Sequence, residues 1–207
     1  MSRAQIEPPA PPMRADARRN HEKLLAAAVE LFGGSGADVP LEAIADRAGV
    51  GIGTLYRHFP TREALAEAAY RNEVERLCDA AAELLVERPP DEALAEWMGR
   101  FVSYVAAKRS MAGMLKTVLA SSDASLYTDA RSRMLAAVSS LLAAAAQAGT
   151  IRADVEPEDV LRAMNGIWLA ADGPDWSERS RRQLALLMDG LRFGVDTSPK
   201  TKRRPGP

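Results

Sequence analysis

The stretch Leu41–Tyr70, LEAIADRAGVGIGTLYRHFPTREALAEAAY, decides how the chain is read. Gly49, Gly51 and Gly53 alternate just ahead of Thr54, Tyr56, Arg57 and His58, and two readings compete for them. A phosphate-binding loop needs Gly-x-x-x-x-Gly-Lys-Ser/Thr after a strand, or Gly-x-Gly-x-x-Gly between strand and helix. Neither is present: no lysine follows Gly53, Gly53 comes two residues after Gly51 rather than three, and the preceding segment is helical in pattern. A turn between two crossing helices, by contrast, needs a short connection and often a glycine. Gly49 supplies it, with Ala45 small where the helices approach and Ile44, Val50 and Leu55 apolar where they share a core.

The flanks extend this reading. Leu24, Leu25, Ala28, Leu31 and Phe32 recur at helical spacing, giving a first helix over Arg18–Phe32, and Gly33, Gly34 and Gly36 are expected to end it. Leu41–Ala48 forms the second helix, with Pro40 at its start. The third helix closes at about Phe59, because Pro60 pushes the residue before it toward extended geometry. Leu55 and Phe59, four apart, share its inward face, and Thr54, Arg57 and His58 fall opposite with Tyr56 at the flank. Thr61 is the expected N-cap of a long fourth helix.

These residues, with LLAAAVELF at Leu24–Phe32 ahead of them, resemble the DNA-binding region of TetR-family bacterial transcriptional regulators. The resemblance spans roughly Arg18–Tyr70, and beyond it only length and helical pattern match. It implies a homodimer whose paired third helices enter successive major grooves of a near-palindromic double-stranded DNA operator. By that likeness Thr54 meets a base or phosphate, Tyr56 and His58 clamp the phosphate side, and Ile52 and Gly53 approach the groove floor. Arg57 points outward. Thr61 and Arg62 open the fourth helix, where the guanidinium joins backbone amides in holding a phosphate. The resemblance also implies a repressor released by a small-molecule effector.

Composition leaves room for that reading and closes others. Formal net charge is −1, so any nucleic-acid footprint must be local: Arg14, Arg18, Arg19 and Lys23, then Arg57 with Arg62, then KTKRR near the end. One cysteine, Cys78, excludes an internal disulfide and fits a cytoplasmic protein, and His21 and His58 are too few for a histidine metal site. His21 reads as an ordinary surface histidine. The opening residues carry charges and prolines where a signal peptide needs an apolar run. The uncharged segment Met134–Ile151 is alanine-rich and weakly apolar, a poor membrane span. No nucleophile motif is visible, so neither enzymatic activity nor a cofactor is expected.

After Tyr70, helices are expected over Asp91–Arg109, Met111–Ala120, Leu126–Ala148, Pro157–Leu169 and Ser177–Phe193, with no alternating strand pattern. The fold is therefore all-α with about nine helices. Its expected parts are a disordered lead-in at 1–15, a three-helix DNA-binding domain at 16–62, a helical effector-binding and dimerisation domain at 63–194, and a disordered basic tail at 195–207. Trp97, Phe101, Tyr104, Met111, Met114, Leu115 and Val118, with Met164, Asn165 and Trp168, read first as core. In the light of the resemblance they also form the wall of a cavity for a small apolar or amphipathic effector, with Tyr104 and Asn165 orienting it. Leu184, Leu187, Met188 and Leu191 make a stripe on the last helix, and Leu161, Met164 and Trp168 make a similar face on the one before. Packing within the chain explains either stripe alone; the resemblance implies that these two helices pair with their symmetry mates, with Leu161, Leu184, Leu187, Met188 and Leu191 as the dimer contacts.

Overall fold

A computed structural model of the chain describes residues 12–35, 38–113, 115, 125–169, 173 and 175–193. Those residues hold eight helices and no strand: α1 (Pro12–Ser35), α2 (Leu41–Ala48), α3 (Ile52–His58), α4 (Arg62–Glu87), α5 (Pro90–Ser110), α6 (Ser125–Ala148), α7 (Pro157–Leu169) and α8 (Trp176–Arg192). The expected helix over Met111–Ala120 lies largely outside the described residues; Met111 and Leu115, which are described, are buried. Helix α1 exceeds its expected span at both ends, starting before Arg18 and running through Gly33 and Gly34. A glycine in a helix costs only about 1 kcal/mol against alanine, so it biases a boundary without imposing one.

The chain divides into two compact units, Met1–Glu73 with Ala107–Ala124, and Val74–Ala106 with Ser125–Pro207. In the first, α1 packs on α2 and α2 on α3. Its core takes Leu24, Leu25, Ala28 and Phe32 from α1, Leu41, Ile44 and Ala45 from α2, Leu55 from α3, and Leu65, Ala69 and Tyr70 from α4. Burial of each large member contributes about 1.5–3 kcal/mol, which outweighs the weak intrinsic stability of helices as short as α2 and α3. Outside that core, the Arg47 guanidinium donates to both Glu30 oxygens at 2.8–3.0 Å, a solvent-exposed tie between α2 and α1.

The second unit contains the rest of α4 and α5 with α6, α7 and α8. Trp97 is fully buried and its indole N–H donates to the Leu77 carbonyl at 2.7 Å, the partner a buried indole requires. Charged pairs join its helices at the surface: Arg133 to Glu75 at 3.3 Å, Arg192 to Asp91 at 2.6 Å, and Arg131 to Glu158. The Arg152 amide donates to the Leu191 carbonyl at 2.9 Å, fastening the α6–α7 connection to the end of α8. No helix among the described residues is long and apolar enough to cross a membrane.

Candidate nucleic-acid interface

The site begins where α2 stops. Gly49 takes φ +68°, and its amide donates to the Asp46 carbonyl at 3.0 Å while the Val50 amide donates to the Ala45 carbonyl at 3.0 Å. This is the paired 5→2 and 6→1 closure that a left-handed glycine permits, and it turns the backbone directly into α3. Ala45 is buried, so α2 is smooth at the approach, as its small side chain leads one to expect.

Helix α3 is fixed from behind. Leu55 is 0% exposed and Phe59, which accepts the C-cap position of α3, is buried as well. With that face anchored, Ile52, Gly53, Tyr56 and Arg57 are exposed, and Thr54 and His58 are half-buried. Tyr56 is 47% exposed, so ring as well as hydroxyl is accessible. Arg57 lies back along its own helix: Nε donates to the Gly53 carbonyl at 3.1 Å and Nη2 to Thr54 Oγ1 at 3.3 Å. Its charge therefore sits over the first turn of α3, beside Gly53 and Thr54.

Thr61 caps α4, its Oγ1 accepting from the Ala64 amide at 3.1 Å, as the N-cap expectation requires. Arg62, half-buried, is the first residue of α4.

One aromatic cluster was not legible in the sequence. His21, on α1, is half-buried rather than a surface residue: its ring centroid lies 4.9 Å from that of Phe59 and 5.5 Å from that of His58, edge-on to the latter. Burial lowers its proton affinity, the neighbouring His58 lowers it further, and Glu22 opposes both. The only signal for this contact was Phe59 itself, whose large ring needs cover from an element distant in sequence. A second solitary group behaves differently. Cys78 lies on α4, and burial pushes its thiol up to about 11, which keeps it protonated at neutral pH.

In the second unit, Trp97, Phe101, Tyr104 and Met164 are buried, with Phe101 set 6.4 Å from the Trp97 ring and 5.7 Å from the Tyr104 ring. Asn165 is half-buried and commits its Nδ2 to the Leu161 carbonyl at 2.8 Å. Met111 and Leu115 belong to the first unit. Met114, Val118 and the side chain of Trp168 lie outside the described residues. A small apolar cavity of about 10 Å³ sits between α5, α7 and α8, lined by Phe101, Val102, Val105, Met164, Ile167, Trp176, Ser180 and Leu184. Ser180 is 4% exposed and its hydroxyl has no hydrogen-bond partner among the described residues.

The expected dimer contacts are placed unevenly. Leu161, Leu184, Met188 and Leu191 are buried within their own chain, which leaves them little surface to offer a partner. Leu187 is half-buried. The exposed apolar residues of this region are Leu186, at 70%, and Phe193, at 80%, neither singled out by the stripe pattern.

Residues 24–69 match the family model for bacterial regulatory proteins of the tetR family, and residues 89–193 match that for the C-terminal domain of SbtR-like transcriptional regulators. The chain is 51% identical to the TetR transcriptional regulator SCO0520 from Streptomyces coelicolor, over 83% of this chain and 98% of that one, with a TM-score of 0.78. It is 37% identical to a TetR transcription regulatory protein from Mycobacterium vanbaalenii, over 87% and 99% of the two chains, with a TM-score of 0.73. No curated protein matches the sequence.

Proposed function

The chain belongs to the TetR family of DNA-binding transcriptional regulators, and on that footing we propose that it is a dimeric repressor released from its operator by a small-molecule effector. The observation that carries the DNA-reading part is the presentation of α3: Leu55 and Phe59 are buried beneath it while Ile52, Gly53, Tyr56 and Arg57 are exposed. A helix held in this way offers side chains to base edges through its outer face and to phosphates at its flanks. Ile52 and Gly53 approach the groove floor, Thr54 and Arg57 act as one hydrogen-bonded unit, and Tyr56, His58 and Arg62 serve the backbone. Thr61 supports Arg62 by starting α4.

Dimerisation through α7 and α8 follows the family reading, and on α8 it is supported by the exposure of Leu186 and of Phe193, the C-cap residue just past its end. Paired across a twofold axis, they set the spacing of the two α3 helices, and a matching operator is near-palindromic.

Effector control is a population shift, in which one dimer shape fits the operator and a ligand binds the other more tightly. Moving occupancy from mostly bound to mostly free takes a preference of about 5.5 kcal/mol. In this reading the effector enters between α5, α7 and α8, at the small apolar cavity beside Ser180 with Phe101 and Met164 in its wall. Its apolar wall favours an apolar or amphipathic ligand. A regulator of this kind acts in the cytoplasm, on the chromosome.

The test is an electrophoretic mobility shift with the DNA upstream of the protein's own gene, followed by selection of bound duplexes from a random pool. Retention of one inverted-repeat motif over random competitor at moderate salt is the expected result. Binding without preference for any duplex overturns the proposal.

A further inference from the structure

A groove of about 280 Å³ runs between α5 and α8 in the second unit, and only Leu184 lines both it and the small apolar cavity. Its floor is apolar, made by Met98, Leu184 and Met188, all buried. It is open because Ala95, Gly99 and Ala185 line it without filling it; a Cβ added at Gly99 meets nothing within 4 Å. Leu186 and Phe193, given above to a partner subunit, are not among the residues that line it.

The two ends differ in charge. At one, Arg192 is held by Asp91 at 2.6 and 3.1 Å, and Asp189 adds a second carboxylate. At the other, Arg181 has no carboxylate partner among the described residues, whereas the adjacent Arg182 is paired with Glu178 at 2.7 Å. An unpaired guanidinium above an apolar trough selects a ligand with an anionic head and an apolar body. Its planar fork matches a carboxylate in two-point contact, and one guanidinium balances one negative charge. A dianion leaves excess negative charge in a groove whose far end, with Asp91 paired to Arg192, already carries the Asp189 carboxylate.

We propose that this groove binds a small amphipathic monocarboxylate, its head on Arg181 and its chain along Met98 and Met188. The seven residues from Arg181 to Met188 span about 10 Å of helix, roughly the reach of an eight-carbon chain.

The test is isothermal titration of the full-length protein, without DNA, against octanoate, hexanoate, octanol and octylammonium. Octanoate binds, octanol binds at least tenfold more weakly, octylammonium does not bind, and hexanoate binds up to about fifteenfold more weakly than octanoate because it buries two fewer methylenes. Arg181→Gln brings octanoate down to the level of octanol, and Gly99→Leu removes both. Arg181 and Gly99 are exposed, so circular dichroism of both variants matches the parent. No octanoate binding, octanol binding equal to octanoate, or octanoate affinity untouched by either substitution overturns the assignment. Because no DNA is present, the outcome is independent of operator binding.

Discussion

Arg57 carries its charge on the helix that bears it, held by the Gly53 carbonyl and the Thr54 hydroxyl, so Thr54 and Arg57 arrive at a duplex as a preformed pair. Arg62 differs, since it stands at the start of α4 beside a threonine that caps it. Replacing Arg62 by alanine should weaken operator binding for all sequences alike and reduce the salt slope of log K by about 0.9, the loss of one neutralised phosphate. Fluorescence anisotropy at four salt concentrations measures it, and an unchanged slope removes Arg62 from the phosphate set. His21 gives a pH dependence. Its proton affinity is lowered in the folded chain, chiefly by burial and then by His58, so on acidification the unfolded chain is protonated first. Stability from this residue is thus complete above its ordinary value of 6.5 and declines as pH falls through it. Thermal melts at pH 8 and pH 5.5 should differ more for the parent than for His21→Phe, which keeps a ring on Phe59 and does not titrate. Asp154, held at about 2 by its hydrogen bond from Arg152, responds only at lower pH and leaves this comparison undisturbed.

At the scale of elements, the α2–α3 turn depends on one left-handed residue. A Cβ at Gly49 meets nothing within 4 Å, so the cost of Gly49→Ala is that of the backbone alone, about 1–2 kcal/mol for an L-residue in this region. Urea unfolding at unchanged m measures it. Gly149 ends α6 through the same pair of hydrogen bonds, at φ +72°, which shows that the device belongs to helix termination and not to DNA reading. Helix α8 holds the opposite kind of residue. Ser180 buries a hydroxyl that has no partner among the described residues, and removing it relieves a desolvation cost while improving helix propensity. Ser180→Ala is expected to raise unfolding free energy by about 1 kcal/mol; a loss of stability would mean that the hydroxyl is satisfied, by a bound water in the cavity.

At the scale of the molecule, the dimer proposed above rests on α8. Leu186→Glu places a charge on an exposed apolar side and should convert a dimer into a monomer in analytical ultracentrifugation at micromolar concentration, without altering the helical content of the chain. The helix-turn-helix was legible in advance because its determinants are local: Gly49 for the left-handed turn, Pro60 to end α3, Thr61 to start α4, and the four-residue spacing of Leu55 and Phe59. The bounds of α7 were legible for the same reason, with Pro157 at its first turn. What covers each apolar stripe was not. Leu184, Met188 and Leu191 read equally well as a partner's contact or as the chain's own core, and the fold made them core while leaving Leu186 and Phe193 outside. His21 went from an apparent surface residue to a ring against Phe59 in the same way. The sequence by itself determined the order of the described helices and the inward Leu55–Phe59 face of α3 with Arg57 opposite it, since backbone sterics and near-neighbour hydrogen bonds act over a few residues; Thr54 and His58, expected to point outward, are half-buried. Only the tertiary structure decided which faces were spent on the core and which grooves, such as that between α5 and α8, stayed open, because burial is a competition among segments far apart in the chain.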